Sequence, residues 1–567
     1  MRRLLFLLAL MLTAVTGVSY AQLSPQDLIT ERPMMMPAAG EPGPATWMMG
    51  QAYGNTTGAY NFGDRWYRAG QGLHFGLDLA MPCGTPLVAV ADGTVMFVDE
   101  KSFGSDPHNL ILRHDDLNLT TLYGHLLEPP VLMPGQFVQK GDVIAKSGDP
   151  DGTCFGRPHL HFEVRSLDYS RTVNPVSLIE ANWHSLALFG PYGYPLFQQD
   201  LTNPRRWVTL EDQPDVSFWG AILNQYSSAY PLPSEREPAP FPVLARQIPE
   251  ALDNTVYRVR QLTDDGCCAN AQWHPTDETT YYTMDGPPAA LASVFERSVT
   301  SDANTLMQPA PIPHISANGA FEVVPFVNGH SKVRRITDGT EYTVFTDGRL
   351  PTLNPSNTSL LWSVNADVVV PGQSRPDTQV YLSDVTGENP RIIYEEPGAS
   401  AMWMNDERIL ITVRDERRNT SLLVYTPAGD TLSEIGTWFE LRDVSVSAGG
   451  QYVAMSIRWQ ADPTTNGVYL LNLSTPSNPL IAKMPWLGAY RWRDADSLYY
   501  IPYQPETDQH TLRVYDVITQ QDTVLAAPQF APFTIAEGHW VVSADGARIL
   551  FQNAADGRNL YVLEPDL

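Results

Sequence analysis

An all-β protein in two parts is what this sequence predicts: a small antiparallel domain, then a ring of repeated sheets. Three observations carry that expectation. Of 567 residues, 43% are hydrophobic, only 18% are charged and 47 are proline, above the ~5% that proline usually contributes. Long amphipathic helical patterns are scarce, so the chain reads as ordered and turn-rich. Between residues 46 and 179, histidine and acidic residues recur at the even spacing that places side chains on one face of a strand. From about Val256 onward, short apolar segments return every 45 residues or so, the period of a ring of four-stranded units. A chain this long divides into two or three domains.

The N-terminus reads Met1-Arg2-Arg3, an apolar stretch from Leu4 to about Val18, then Ser19-Tyr20-Ala21 before Gln22. A positive start, a short apolar segment and small residues before the break predict a signal peptide over 1–21, cut after Ala21. The run is shorter than the ~20 residues that span a bilayer, and no comparable run recurs, so no transmembrane segment is expected after cleavage. A retained N-terminal anchor is the alternative. Residues 22–45 are proline-rich and expected to be loose.

Residues 46–179 hold the chemistry: His74-x-x-x-Asp78, Tyr123-Gly124-His125 and His159-x-His161. If Leu73 to Ala80 is extended, His74 and Asp78 share a face, as do His159 and His161. Gly76 between the first pair removes a side chain that would crowd an ion. Imidazole and carboxylate suit a borderline-soft ion such as zinc, and three protein ligands leave a fourth position open. An open position indicates catalysis rather than structural support.

These motifs stand in the order His74-Phe75-Gly76-Leu77-Asp78, Gly84-Thr85-Pro86-Leu87, Ala91-Asp92-Gly93-Thr94-Val95, Tyr123-Gly124-His125-Leu126, Gly135-Gln136, Lys140-Gly141-Asp142 and Pro158-His159-Leu160-His161-Phe162-Glu163-Val164. In that order the chain resembles the lysostaphin-type, LytM-like zinc endopeptidases over about 110 residues. The resemblance implies a small antiparallel β domain of the duplicated-hybrid-motif kind, with a groove, and hydrolysis of a peptide bond in bacterial peptidoglycan, in a cross-bridge or a stem. It also implies that His74, Asp78 and His161 hold one zinc ion per chain and that His125 and His159 are catalytic, flanking the water. Zinc brings the pKa of water towards about 7, and an imidazole titrating near ~6.5 can accept or donate protons. Which of the two histidines is the base stays open. Tyr60 and Tyr67, ahead of His74, read equally as an oxyanion donor or as aromatic packing. His108 and His114 read as hydrogen-bonded histidines of the surface or groove wall, and the remaining histidines lack ligand spacing.

Cys83 follows Asp78 by five residues and Cys154 precedes His159 by five. A bridge between them would tie the ligand-bearing segments together, and two separate thiols are the alternative; an exported chain permits disulfides. The adjacent Cys267 and Cys268 are either two reduced neighbours or a strained vicinal bridge.

Residues 180–255 lose periodicity and gain proline, as in Glu237-Pro238-Ala239-Pro240-Phe241-Pro242, and read as a stiff spacer. Its aromatic first half is expected to pack along one domain or both. Residues 256–567 then repeat. An apolar pair recurs at Val294-Phe295, Val333, Val380-Tyr381, Val424-Tyr425, Val468-Tyr469, Val514-Tyr515 and Leu560-Tyr561, and the last five tyrosines are 44, 44, 46 and 46 apart. Between them come strand–turn–strand units such as Val444 to Gly450 and Val541 to Gly546. The pattern resembles TolB-like and WD-type β-propellers. Seven recurrences predict seven blades, with six or eight open because the second repeat is poorly defined. The chain stops one strand short, so Val256 to Leu262 is expected to close the ring. Such a ring serves either to recognise a wall component or protein partner, or as a rigid platform.

A formal net charge of −26 argues against nucleic acid or anionic lipid as a partner. The sequence therefore predicts a secreted or envelope-located (periplasm or cell wall) zinc metalloendopeptidase whose partner is the peptidoglycan peptide. The alternatives are a non-catalytic envelope-binding or regulatory protein and a general extracellular metalloprotease.

Overall fold

Nine antiparallel strands build the sheet that carries the site. Its path runs Met48–Gln51, Leu77–Ala80, His159–Ser166, Leu119–Gly124, Leu110–His114, Gly93–Val98 and Phe137–Val138, with Arg171–Val173 and Val216–Ser217 attached beside His159–Ser166. The computed structural model describes residues 32–189, 210–223, 256–264, 269–284, 294–301, 304–307, 314–326, 328–347, 349–366, 376–475, 479–555 and 559–566. The expected signal peptide, 1–21, Cys267 with Cys268, and much of 180–255 lie outside the described residues.

Strand alternation fixes the sheet. Leu160, Phe162 and Val164 enter the apolar core with Leu77, Leu79, Leu110 and Tyr123, each burial contributing about 1.5–3 kcal/mol. His159, His161, Glu163 and Arg165 take the opposite face. Register then sets His161 against Asp78 on one side and Gly124 on the other. The strand expected from Leu73 begins only at Leu77. His74 instead makes an isolated two-bond bridge with Gly54, at 2.7 and 2.9 Å. A short helix, Thr57–Trp66, precedes it, capped by Thr56, whose hydroxyl accepts from the Ala59 N–H at 3.2 Å.

Residues 32–45, expected to be loose, are packed where described: Met34 pairs with Ile179 and Ala38 with Leu87, both nearly fully buried. Proline content did not foretell this because the pairing partners are distant in sequence. Within 180–255, Val216–Ser217 returns to pair with Arg171 and Thr172.

The C-terminal domain is a seven-bladed β-propeller, each blade a four-stranded antiparallel sheet. The recurring tyrosines Tyr381, Tyr425, Tyr469, Tyr515 and Tyr561 all lie on third strands of their blades, which explains their spacing. Tyr257–Gln261 supplies the outer strand of the last blade, pairing with Leu560–Pro565 in register Tyr257↔Pro565 to Gln261↔Tyr561. The ring is thus closed by the segment expected to close it. Indole N–H groups clasp successive blades: Trp403 donates to the Thr352 carbonyl at 3.1 Å, Trp492 to Ser445 at 3.3 Å, and Trp273 across the closure to Val541 at 3.1 Å.

The two domains are packed together. The helix Trp183–Leu188 lies against the propeller strand Ile535–Val542. Met48, Leu188 and Phe189 join Phe533, Ile535 and Trp540 in one apolar cluster. Asn182 Nδ2 donates to the Pro505 carbonyl and Ser185 Oγ to the Thr507 carbonyl, both at 2.6 Å, and the backbone N–H of Trp459 donates to the Pro44 carbonyl at 2.7 Å.

Candidate active site

His74, Asp78 and His161 converge, with one donor atom from each lying within 4.8 Å of the others. Their orientation is fixed from behind. The Nδ1–H of His74 donates to the Ala52 carbonyl at 2.6 Å, so its Nε2 lone pair faces inward. His161 turns Nε2 towards Glu163 Oε1 at 3.2 Å and presents Nδ1 to Asp78 Oδ1 at 2.8 Å and to His74 Nε2 at 3.4 Å. His74 Nε2 and Asp78 Oδ1 are 3.3 Å apart. Two imidazole nitrogens and a carboxylate oxygen thus face one another in a buried space. That is the donor set a cation completes.

The electrostatics favour positive charge at this centre, carried near pH 7 by a proton on His161 that a bound cation would displace. Burial works against a charge on Asp78, but His74, His159 and the His161 hydrogen bond outweigh it and hold the carboxyl well below its ordinary range. Burial likewise opposes a proton on His161, while Asp78 and Glu163 overcome it and raise the imidazole to about 9. Gly76 has a role different from the one expected. A Cβ there would lie 2.6 Å from His161 Cε1, so the glycine makes room for the ligand's ring.

The other two histidines stand beside this set. His125 and His159 have ring centroids 4.8 Å apart, and His125 is 5.8 Å from His161. His125 sits in the left-handed region at φ 56°, a conformation that side chains larger than glycine seldom adopt and that clusters at functional sites. Its Nδ1–H donates to the Asp106 carbonyl, and that of His159 to the Arg157 carbonyl at 2.5 Å. Each ring is left with Nε2 free of that bond, and His159 Nε2 is 3.7 Å from Asp78 Oδ1. Burial, then the neighbouring His159 and His161, push His125 down to about 3, and burial lowers His159 as well. Both are neutral near pH 7. All five residues expected at the site are therefore brought together.

Glu163 and Arg165 were not among the expected residues. Glu163 is fully buried, and Arg165 binds it through Nε at 2.7 Å and Nη2 at 3.0 Å. The signal was present in the sequence: 159, 161, 163 and 165 share one face of a single strand. Tyr67 packs its ring edge-on to His74 at 5.2 Å and donates its hydroxyl to Gln51 at 3.1 Å; the Tyr60 side chain is outside the described set. His114 is buried between the Asp92 carbonyl and Thr121 Oγ1, at 2.8 and 2.9 Å, and His108 pairs with Asp99 at 2.9 Å. Both are hydrogen-bonded as expected, but His114 lies in the interior rather than at the surface or groove wall. A disulfide joins Cys83 to Cys154, tying the turn after Asp78 to the loop before His159.

A small antiparallel β domain presenting this His/Asp/His group between two further histidines is a metallopeptidase domain of the lysostaphin type. Residues 72–175 match Peptidase family M23, and the chain carries an M23 domain joined to a propeller. It is 39% identical over 105 residues to an uncharacterized metalloprotease of Haemophilus influenzae, covering 18% of this chain and 21% of that protein. It is 39% identical over 106 residues to the DD-carboxypeptidase/endopeptidase Mpg of Neisseria meningitidis, covering 19% and 23%. With the peptidoglycan DD-endopeptidase ShyA of Vibrio cholerae the identity is 34% over 91 residues, covering 16% and 20%. The chain thus spans about a fifth of the length of the curated relatives it matches. No helix among the described residues is long and apolar enough to cross a membrane.

Proposed function

We propose that this protein is an exported zinc metalloendopeptidase that hydrolyses peptide bonds in bacterial peptidoglycan, with its propeller positioning the catalytic domain on substrate. The observation that carries the reading is the pre-oriented donor set: each ring nitrogen of His74 and His161 not facing the centre is already bound, so the nitrogens turned inward are the ones a cation would take. His74, Asp78 and His161 would hold one zinc ion. Bound there, zinc supplies Lewis acidity and a water acidified towards about pKa 7.

The remaining work falls to the chain. His125 and His159, neutral and anchored through Nδ1, offer Nε2 to take a proton from the attacking water and return it to the leaving amine. Glu163 holds the ring of His161 in its tautomer. Export is supported by the N-terminal Met1 to Ala21 pattern, and the wall substrate by the names of the relatives. The complete five-residue set weighs against a purely binding role.

Digestion of purified peptidoglycan by the protein, with mass analysis of released fragments and a parallel zinc determination, tests this. New peptide termini with one zinc per chain are expected. Metal without new termini on peptidoglycan would overturn the substrate, and absence of both would overturn the enzyme.

A further inference from the structure

A cleft of about 610 Å³ lies between the catalytic domain and the propeller, within the ~300–1,000 Å³ range of ligand sites. Ala80 and Pro158 form its catalytic wall. Ala80 pairs with His159 across the sheet and lies two residues from Asp78, about 7 Å at ~3.3 Å per residue. Pro158 directly precedes His159. The cleft therefore lies beside the candidate metal ligands.

The propeller wall has an unusual charge for this chain. Although the net charge is −26, Arg414, Arg417, Arg418 and Arg442 gather here, facing Arg157 of the catalytic domain. One buried carboxylate, Glu440, serves three of them: Arg414 at 3.1 Å, Arg442 at 3.0 Å, and Arg418. Glu440 thus brings one negative charge among three guanidiniums. Five arginines thus meet three acids of the lining, Asp151, Asp415 and Glu416, together with Glu440 behind them, and the two aspartates are held by their own turns. Asp151 accepts from the Thr153 N–H and hydroxyl, at 2.9 and 2.7 Å. Asp415 accepts from the backbone of Arg417 and Asn419 and from Asn419 Nδ2, at 2.8 to 2.9 Å. Glu416, exposed next to Arg417, is the remaining acid of the wall. Arg417 itself is exposed, and its guanidinium forms no ion pair among the described residues.

A second, independent feature lies in the same wall. Trp459 is only 6% exposed, adopts φ 53°, and its buried indole N–H has no acceptor. A buried donor left unmet is costly, about 1–3 kcal/mol, and calls for a partner.

We propose that this interdomain cleft binds a carboxylate-bearing part of the peptide substrate, with Arg417 as its direct partner and Arg442 and Trp459 completing the wall. The proposal rests on the peptidase reading above. A guanidinium fork matches a carboxylate in two parallel hydrogen bonds. A long polyanion is disfavoured, because the chain as a whole carries a net charge of −26 and repels it. The propeller then acts as the specificity wall of the active site.

The test uses a soluble cross-linked peptidoglycan dimer with free carboxylates and the same dimer amidated by carbodiimide and ammonia. With the zinc-loaded full-length protein, the free-acid dimer is expected to show a KM about tenfold lower, with little change in kcat, the size of one charge-assisted hydrogen-bond pair. Arg417→Ala is expected to bring the KM ratio close to one. Arg335→Ala, which removes an exposed-side charge on another blade, is expected to keep it. Calorimetric titration of both dimers runs in parallel. Equal KM values in the parent protein, or a ratio that Arg417→Ala leaves intact, overturn the cleft proposal while cleavage itself upholds the peptidase. Selective, Arg417-dependent binding without cleavage upholds the cleft and overturns the peptidase. Binding of neither dimer overturns both.

Discussion

Glu163→Gln isolates how far the metal site depends on residues behind it. Glu163 is fully buried and accepts from His161 Nε2 at 3.2 Å and from Arg165 at 2.7 and 3.0 Å. A glutamine can offer one carbonyl oxygen, and its amide NH2 must then face another donor. If the oxygen stays with His161, the NH2 meets Arg165 Nε. If it turns to Arg165, His161 loses the group that orients it. Loss of such support behind a ligand typically lowers metal affinity about 10–100-fold, about 1.4–2.7 kcal/mol. Separately, Arg165 loses its buried counter-ion, a change that costs about 3–5 kcal/mol when one partner is removed; its contacts with the Phe218 ring at 4.5 Å and the Phe103 carbonyl at 3.2 Å remain. The two effects separate in the double variant Glu163→Gln/Arg165→Met, which removes the orphaned charge. Zinc affinity is measured by competition with a chromophoric chelator, and stability by thermal unfolding of the metal-free protein. The double variant is expected to recover most of the stability while its zinc affinity stays low. Zinc affinity unchanged within about twofold in Glu163→Gln, or fully recovered in the double variant, refutes the view that Glu163 acts through His161.

Other outcomes follow from the same geometry. Asp78→Ala is expected to release the metal and abolish cleavage, whereas His125→Ala keeps most of the metal and loses about 10²–10⁴ in kcat; metal content measured beside turnover decides, and zinc loss in the His125 variant would overturn the division of roles. Replacing Cys83 and Cys154 by Ser opens a bridge between positions 71 residues apart, which by loop-closure entropy destabilises the catalytic domain by up to about 4 kcal/mol, checked by chemical denaturation. His510, buried, accepts from the Ile535 N–H through Nδ1 at 3.1 Å, and burial followed by His184 depresses it to about 3. Its folded pKa lies below the unfolded value of ~6.5, so the unfolded chain takes the proton first as pH falls. The protein is expected to lose about 1.4 kcal/mol per pH unit from this residue below about pH 6.5, and His510→Gln to flatten that slope in unfolding curves.

Much of this protein was open to reading from residues alone where spacing is governed by local geometry. His159 and His161 share a face because strands alternate, and the blade tyrosines recur because each sits on the third strand of its sheet. The closing role of Val256 to Leu262 followed from counting strands. Reasoning from spacing failed where the cause is non-local. His74 was expected to reach Asp78 along one strand, but Gly54 holds it in place. Residues 32–45 were expected to be loose, and Met34 is buried by a segment near Ile179. Glu163 carried a period-two signal that passed unread, because a carboxylate after a histidine motif has meaning only once its burial and its arginine partner are known.

The sequence by itself pointed to the five candidate residues, through strand spacing for the two pairs and through the family resemblance for His125, and to the all-β class and the ring through the blade period. Only the tertiary structure decided which nitrogen of each histidine faces the centre, because that depends on carbonyls of Ala52, Asp106 and Arg157 brought up by other segments. It also decided that a chain of net charge −26 gathers arginines beside its active groove. A charge total averages over the surface, whereas a binding wall is made by the few residues that folding places side by side.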